Sequence, residues 1–504
     1  MTAVPPPNSN IQPTGPYNSM REFIAALDAR GKLLRIANMD QDRYEATAFA
    51  YRMLDKRGRE GTPAFLIECT KIDGAYREGA VVGNLYNGWD AEAMVFGVKD
   101  IVDDPEVMYA RVMDKVLARL DDGGQWQRII PTTVEPSHSP CKEVVVQGDD
   151  IDVLNFPWFK NNPADAGRYI NTGAVFIQDP KIGRNVGTYR CQVKSKTKIG
   201  MNANPGQHGG RLLRMMKARG EKTAKIAIAL GVDPIIWSVS TSKLSGFGED
   251  EIEVAGGLRG APVQLVKCET SDILVPAEAE MIIEGEVPLT EAEDEGPYAE
   301  MYGYMGPLKH NNFFMNIKTI THRHMPIFFN SYTGITADMI RVPLLAGYYW
   351  TFKKQIPNLK AINLYAAASG ILIAAIDKRF AGEGMQAGQV IAANPTVKVA
   401  IIVDSDINIL SPHEVFHAMA ARWQPSASVM FPQAHLQMPD PSRIVRGLSS
   451  KMVIDATRQF ANEGGHESWP SLSRTVFEES CGDAFDLVDE KWEEYWEGLS
   501  GGRS

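Results

Sequence analysis

Residues 173–195 read GAVFIQDPKIGRNVGTYRCQVKS. Two runs, GAVFIQ and VGTYRCQVKS, flank a polar segment carrying proline and glycine, the pattern of two strands joined by a turn. In the second run alternation puts Thr188, Arg190 and Gln192 on one face and Tyr189 and Cys191 on the other. An arginine turned inward from a strand requires an anionic partner. Similar runs recur on both sides: EVVVQG, KIAIAL, APVQLVKC, EMIIEGEV, FFMNIKTITH and MPIFFNSY, with one helical interruption at RLLRMMKARG. Many short strands with turn signals between them predict a barrel or sandwich over residues 131–335.

Outward from this block the texture changes. Ser19 and Glu22 match a helix-capping box, Phe23, Ile24 and Leu27 supply an apolar face, and Gly31 closes the helix. Helices and strands then alternate, so an N-terminal α/β domain is expected over 18–130, behind a flexible N-terminus, 1–17. Past residue 336 helices alternate with ILIAAI and VAIIVDSDINI, which predicts a C-terminal α/β domain over 336–504. Its tail, DLVDEKWEEYW, reads as an amphipathic helix suited to packing on a partner subunit. AINLYAAASGILIAAI (361–376) is interrupted by Asn363, Ser369 and Gly370, falls short of a membrane span, and reads as a helix end followed by a buried strand. GEGMQAG (382–388) fits neither dinucleotide nor P-loop spacing and reads as a loop.

A chain of 504 residues is too long for one hydrophobic core. With 44% hydrophobic and 23% charged residues it has the composition of an ordinary globular protein. The net charge of −10 and the lack of a Lys/Arg run argue against a nucleic-acid binder. Five scattered cysteines without a CxxC pair suggest reduced thiols and a cytoplasmic protein. The opening MTAVPPPNSNIQPTGP has no apolar core and does not read as a signal peptide.

Three patterns carry candidate chemistry. In DEGPYAEMYGY (294–304), Glu295 and Glu300 bracket Gly296-Pro297 beside Tyr298, Tyr302 and Tyr304. A helix would point the two acids apart, so the stretch reads as a turn into an extended segment. Either acid could partner Arg190, and burial among the aromatic rings would let a carboxyl hold the proton a general acid needs. Asn185, His208 and Glu253 each lie next to glycine-rich or turn sequence. An amide oxygen, an imidazole and a carboxylate suit Mn²⁺ or Mg²⁺, but three unrelated polar residues would read the same way. HEVFH (413–417) matches HExxH, whose His413, Glu414 and His417 would make a zinc hydrolase the competing reading. Ser411-Pro412 is a helix start that puts His413 in the opening turn, no third ligand follows, and His417 is expected as a partly buried helix residue.

Taken together, FIAALDARGKLLRI (23–36), NVGTYRCQVKSKTKIGMNANPGQHGG (185–210), the 253–287 stretch beginning EVAGGLRGAPV, EGPYAEMYGY (295–304) and SSKMVIDAT (449–457) resemble the UbiD family of non-oxidative decarboxylases, which includes polyprenyl-hydroxybenzoate and ferulic/cinnamic acid decarboxylases. The resemblance implies an N-terminal α/β domain, a central flavin-binding split β-barrel and a C-terminal α/β oligomerisation domain with a terminal helix. It implies reversible decarboxylation of an aromatic, heteroaromatic or α,β-unsaturated acid through a covalent adduct with prenylated FMN, a cofactor supplied by a flavin prenyltransferase and anchored by Mn²⁺ (or Mg²⁺) and K⁺. Carried over by motif, Arg190 holds the carboxylate, Glu295 pairs with it and Glu300 protonates the product. Asn185, His208 and Glu253 ligate the divalent metal, and Ser240 helps form the monovalent site. Gly187, Thr188, Tyr189 and Gln207 complete the cofactor contacts. Met301 and the stretches 333–343 and 431–438, including Gln433 and His435, are expected to wall the substrate pocket. A homodimer or larger assembly is expected. The family's phosphate-contacting lysine has no clear counterpart in IAANPTVKVAIIV (391–403), where Lys398 is the nearest and is left unassigned. A non-catalytic flavin- or metal-binding protein is the remaining alternative.

Overall fold

The computed structural model describes residues 11–59, 61–364, 370–437, 440–443, 445 and 447–496. Parts of the sequence reading, residues 1–10, 365–369, Met438 and 497–504, lie outside the described residues.

Ser19 caps the first helix, Met20–Ala29, by accepting the Glu22 amide at 3.3 Å, and the buried face carries Met20, Phe23, Ile24, Ala26 and Leu27. Strand Leu33–Asp40 then pairs parallel with Ala64–Ile72, which pairs antiparallel with Ala80–Gly83. The next strand of this sheet comes from far along the chain: Ile327–Phe329, within the stretch assigned by sequence to the barrel, lies parallel to Ala80–Gly83. That pairing leaves no local signature, since an apolar run such as IFF suits any buried strand.

The middle of the chain forms a ten-stranded sheet. Its path runs Tyr169–Ile170, Cys191–Ser195, Lys198–Met201, Lys309–His322, Met281–Pro288, Thr223–Leu230, Ala174–Asp179 and Gly183–Thr188, with Val144–Gln147 and Glu293–Glu295 also pairing on Lys309–His322. Gly183–Thr188 is the last strand of that path and Cys191–Ser195 lies next to its other end, yet only Tyr189 and Arg190 separate them in the chain. Three Cα steps span at most about 10 Å, so the sheet must curl until its two ends nearly meet. This is a split barrel, and Arg190 sits in the split.

The C-terminal sheet orders Leu359–Leu364, Ile371–Ile376, Val399–Asp404, Leu448–Ala456 and Val429–His435, with its three central strands parallel. Successive side chains of those strands bury on opposite sides. Leu372, Ala374 and Ile402 share a core with helix Glu383–Ala392, and Ile373, Ile401 and Ile454 with helix Pro412–Arg422. Two sequence expectations are corrected here. The stretch 361–364 ends a strand rather than a helix, and 382–388 opens a helix rather than forming a loop. Gly384 and Gly388 stand one helical turn apart because a Cβ at either would collide with Asp455 or Val453 of the underlying strand. Where one terminal helix was expected, Asp483–Glu490 and Trp492–Trp496 follow Ser473–Cys481, and none of the three buries a described residue. No described helix is long and apolar enough to cross a membrane.

Candidate active site

The split in the barrel wall positions Arg190. Its neighbours Tyr189 and Cys191 turn into the apolar interior, leaving the arginine on the opposite face with a side chain 10% exposed. Glu295 and Glu300 reach it from either side of a turn. Strand Glu293–Glu295 lies on Lys309–His322, Gly296 at φ 90° turns the chain, and Tyr298–Ala299 pairs with Met305–Gly306. Arg190 Nε and Nη2 donate to the two oxygens of Glu295 at 2.9 Å each, and Nη1 donates to Glu300 Oε1 at 3.0 Å. Glu295 is fully buried, whereas the Glu300 side chain is 26% exposed. Lys309 Nζ lies 3.6 Å from the same Glu300 oxygen.

Tyr298 places its ring 5.0 Å from the guanidinium and 4.1 Å from the ring of Tyr169. Burial by itself would lower the Arg190 pKa, but the acceptor oxygens and charges of Glu295 and Glu300 carry it above the ordinary guanidinium value. Arg190 is therefore a permanent cation. Burial raises the Tyr169 and Tyr298 phenols, with the Glu295 charge adding to the effect on Tyr169, so both stay neutral.

A second polar cluster lies beyond the same strand. Asn185 Nδ2 donates to Glu251 Oε1 at 3.0 Å, the Val186 amide donates to Glu251 Oε2 at 2.8 Å, and His208 Nδ1 lies 3.8 Å from Glu251 Oε1. Glu253 is elsewhere: its carboxylate is 3.8 Å from Arg128 Nη1. Both acids belong to helix Glu251–Arg259, where two positions rotate a side chain by about 200°. Glu251, buried at 4% exposure, thus stands where the sequence reading placed Glu253. One amide, one imidazole and one carboxylate suit a divalent cation such as Mn²⁺ or Mg²⁺. Asn185 Oδ1, with the Tyr189 hydroxyl at a long 3.4 Å, has a lone pair to offer.

The other cofactor candidates surround this cluster. His208 opens helix His208–Ala218, and Gln207 supplies no side-chain cap because its amide oxygen takes the Asn204 N–H at 2.9 Å. The Gly209 amide of this turn goes to the Tyr189 hydroxyl, and its neighbours at His208 and Gly210, without a capping side chain, favour an anion. A Cβ at Gly187 would lie 2.5 Å from the Tyr189 hydroxyl, which accepts the Gly209 amide at 3.0 Å. Thr188 Oγ1 and Ser240 Oγ are 3.0 Å apart, and Ser240 Oγ also donates to the Trp237 carbonyl.

Other expected residues lie apart. Met301 follows Glu300 directly and is half-buried. Gln433 and His435 are exposed on the edge strand Val429–His435, where His435 contacts the Gly447 carbonyl and borders a cavity of about 370 Å³ with Phe431 and Lys451. No hydrogen bond or ion pair among the described residues joins either to Arg190, Glu295 or Glu300. Lys398 is engaged by Asp440 at 3.0 Å. His413 and His417 are both exposed, so His417 is not the partly buried residue the sequence suggested. Glu414 accepts the Asn408 amide, and no cluster of three His, Cys, Asp or Glu able to hold a metal exists among the described residues. Sequence reasoning did not single out Glu251, Lys309 or Tyr169, whose places beside Asn185, Glu300 and Tyr298 depend on contacts between distant segments.

Residues 132–336 match the UbiD 3-octaprenyl-4-hydroxybenzoate carboxy-lyase Rift-related domain, and residues 339–456 match the C-terminal domain of the same enzymes. A phenolic acid decarboxylase of Bacillus subtilis is 29% identical, covering 94% of this chain and 99% of its own. The vanillic acid decarboxylase of Sedimentibacter hydroxybenzoicus in its open form superposes with a TM-score of 0.79 at 26% identity, covering 95% of this chain and 99% of its own. The UbiD-class enzyme HmfF of Pelotomaculum thermopropionicum, in complex with FMN, gives a TM-score of 0.76 at 28% identity, covering 90% of this chain and 97% of its own. An evolved dimeric form of HmfF, in complex with prFMN, gives 0.74 at 27% identity, covering 91% of this chain and 97% of its own. With both domain matches present in order and covering more than half of the sequence, the chain belongs to the UbiD family of carboxy-lyases.

Proposed function

We propose that the protein decarboxylates, reversibly, an aromatic, heteroaromatic or α,β-unsaturated carboxylic acid using prenylated FMN. The observation that carries this reading is the arrangement of Arg190. A guanidinium has five N–H donors. Three are engaged by Glu295 and Glu300, so one hydrogen is left on each of Nη1 and Nη2. Those two hydrogens are the donors left for a substrate carboxylate. Glu295, fully buried, fixes the arginine's orientation.

Glu300 is the proton donor in this account. Glu295 and Glu300 both bind Arg190, and Lys309 lies beside Glu300 as well. Of the two, Glu300 has solvent access from which to reload. Prenylated FMN, when bound, supplies the sink for the electron pair that carbon dioxide leaves behind.

Asn185, His208 and Glu251 would hold Mn²⁺ or Mg²⁺ against the flavin phosphate, and the start of helix His208–Ala218 would face that phosphate. Thr188 and Ser240, whose hydroxyls meet, would help hold K⁺. In the same reading a flavin prenyltransferase supplies the cofactor, and reduced thiols suit a cytoplasmic enzyme. The exposed Phe477, Leu487 and Trp492 of the terminal helices favour a homodimer or larger assembly. The polar Gln433 and His435 on the C-terminal sheet favour a ring bearing a hydrogen-bonding atom. The test is mass spectrometry of the bound cofactor after co-expression with a flavin prenyltransferase, followed by a CO₂-release screen of aryl and heteroaryl acids. A prenylated mass and release from at least one acid are expected. Unmodified FMN, or a loaded enzyme inert towards the whole panel, would overturn the reading.

A further inference from the structure

We propose that Asp165 is a positioning residue that fixes the backbone from which Glu300 delivers its proton; this rests on the reading of Glu300 as the donor. Asp165 is 3% exposed. Its Oδ2 accepts the Asn162 amide at 2.9 Å within its own loop, and its Oδ1 accepts the Ala299 amide at 3.2 Å from the segment carrying Glu300. One residue further, the Ala166 amide donates to the Pro297 carbonyl at 2.8 Å. From the other side, the Tyr298 hydroxyl meets Asn171 Nδ2 at 2.9 Å and Thr333 Oγ1 at 3.2 Å. Residues 297, 298 and 299 are thus each tied down, and Asp165 holds the amide immediately before Glu300.

A carboxylate is an odd choice for an ordinary loop tie. Burial raises its pKa, opposed by the Asn162 and Ala299 amides and by the charges of Lys160 and Arg190. Loop 161–166 could close with an amide or hydroxyl at position 165. What the carboxylate adds is two acceptors facing opposite ways, one inward to its own loop and one outward to the peptide that aims Glu300. A misplacement of about 1 Å at a reacting group lowers rates by roughly 100-fold.

The test uses the cofactor-loaded full-length enzyme and the variants D165N, E300Q and their double mutant. An asparagine keeps the shape but provides one acceptor where two amides need one each. D165N should keep its flavin content and KM within about twofold while kcat falls on the order of 10- to 100-fold, with a larger solvent isotope effect on kcat. The double mutant should be no slower than E300Q alone, since both changes act through one group. Wild-type kcat in flavin-loaded D165N, or additive losses in the double mutant, would overturn the proposal. If D165N fails to load flavin, D165E, which keeps both acceptors, is read by the same measurements, and failure of both to load would assign Asp165 a purely structural role. Should E300Q itself turn over normally, the proton-donor reading fails; a dead E300Q beside a normal D165N sinks only this inference.

Discussion

Arg190→Lys preserves the charge of the site and removes its geometry. The guanidinium makes three bonds to two carboxylates, at 2.9, 2.9 and 3.0 Å. A lysine ammonium, a single point of contact, can serve one of those carboxylates at a time. Of the two donors that Arg190 keeps for the substrate carboxylate, the lysine replaces at most one, and the charge-assisted bond lost contributes up to about 3 kcal/mol, or roughly 10²-fold in kcat/KM. Folding suffers separately. Glu295 is fully buried, and an unsatisfied oxygen there costs about 1–3 kcal/mol. The assay is the initial rate of CO₂ release by the loaded enzyme, with flavin content and thermal melting recorded on the same samples. The expected result is normal flavin content, a lower melting temperature and the hundredfold loss. Wild-type kcat/KM in R190K would refute the reasoning, because it would mean that the guanidinium contributes nothing beyond its charge.

Glu251→Gln should weaken divalent-metal retention by more than about tenfold, and Glu253→Gln should leave it unchanged, since Glu251 faces Asn185 and His208 whereas Glu253 faces Arg128; metal analysis of the purified proteins decides, and the reverse pattern would restore Glu253. Native protein treated with iodoacetamide at mildly alkaline pH should be modified at the exposed Cys69 and Cys481 but not at Cys141, Cys191 or Cys268, which are buried, with burial pushing the Cys141 thiol up to about 12. Mass spectrometry before and after unfolding reads this directly. Burial also pushes the Asp338 carboxyl up to about 6 despite hydrogen bonds from Ser331 and Thr336. The folded state therefore binds more protons than the unfolded chain between about pH 4 and 6, and the stability from this group falls as pH rises through that window. Asp338→Asn should accordingly gain in melting temperature over the wild type more at pH 7 than at pH 5; an opposite ordering would count against it.

The barrel and the Arg190 cluster were legible because both rest on local rules. The run VGTYRCQVKS proves to be two strands broken at Tyr189-Arg190 rather than one, yet Tyr189 and Cys191 still turn into the core and leave Arg190 on the other face, and Gly296-Pro297 keeps Glu295 and Glu300 out of a common helix. Position along helix Glu251–Arg259 was not legible in the same way. Spacing gives a helix two acids near its start, but the choice of inward face depends on what packs beside it. A signal did exist. Glu253 precedes Gly256 and Gly257 by three and four residues, and a Cβ at either glycine would collide with the backbone at Gln127 or Ile129. The face carrying Glu253 is therefore the one against 127–129, which leaves Glu251 to face Asn185. The strand Ile327–Phe329 and the contact of Asp165 with Ala299 are non-local, and no periodicity announces them.

The central claim is that Glu300, held beside Arg190, delivers the proton that replaces carbon dioxide. It is tested most directly by running the loaded enzyme in deuterated water and locating the isotope in the product. One deuterium at the vacated carbon with the wild type, and a rate about 10²- to 10⁴-fold lower for E300Q with a normal flavin content, is the predicted result. Product formed by E300Q at the wild-type rate would contradict it.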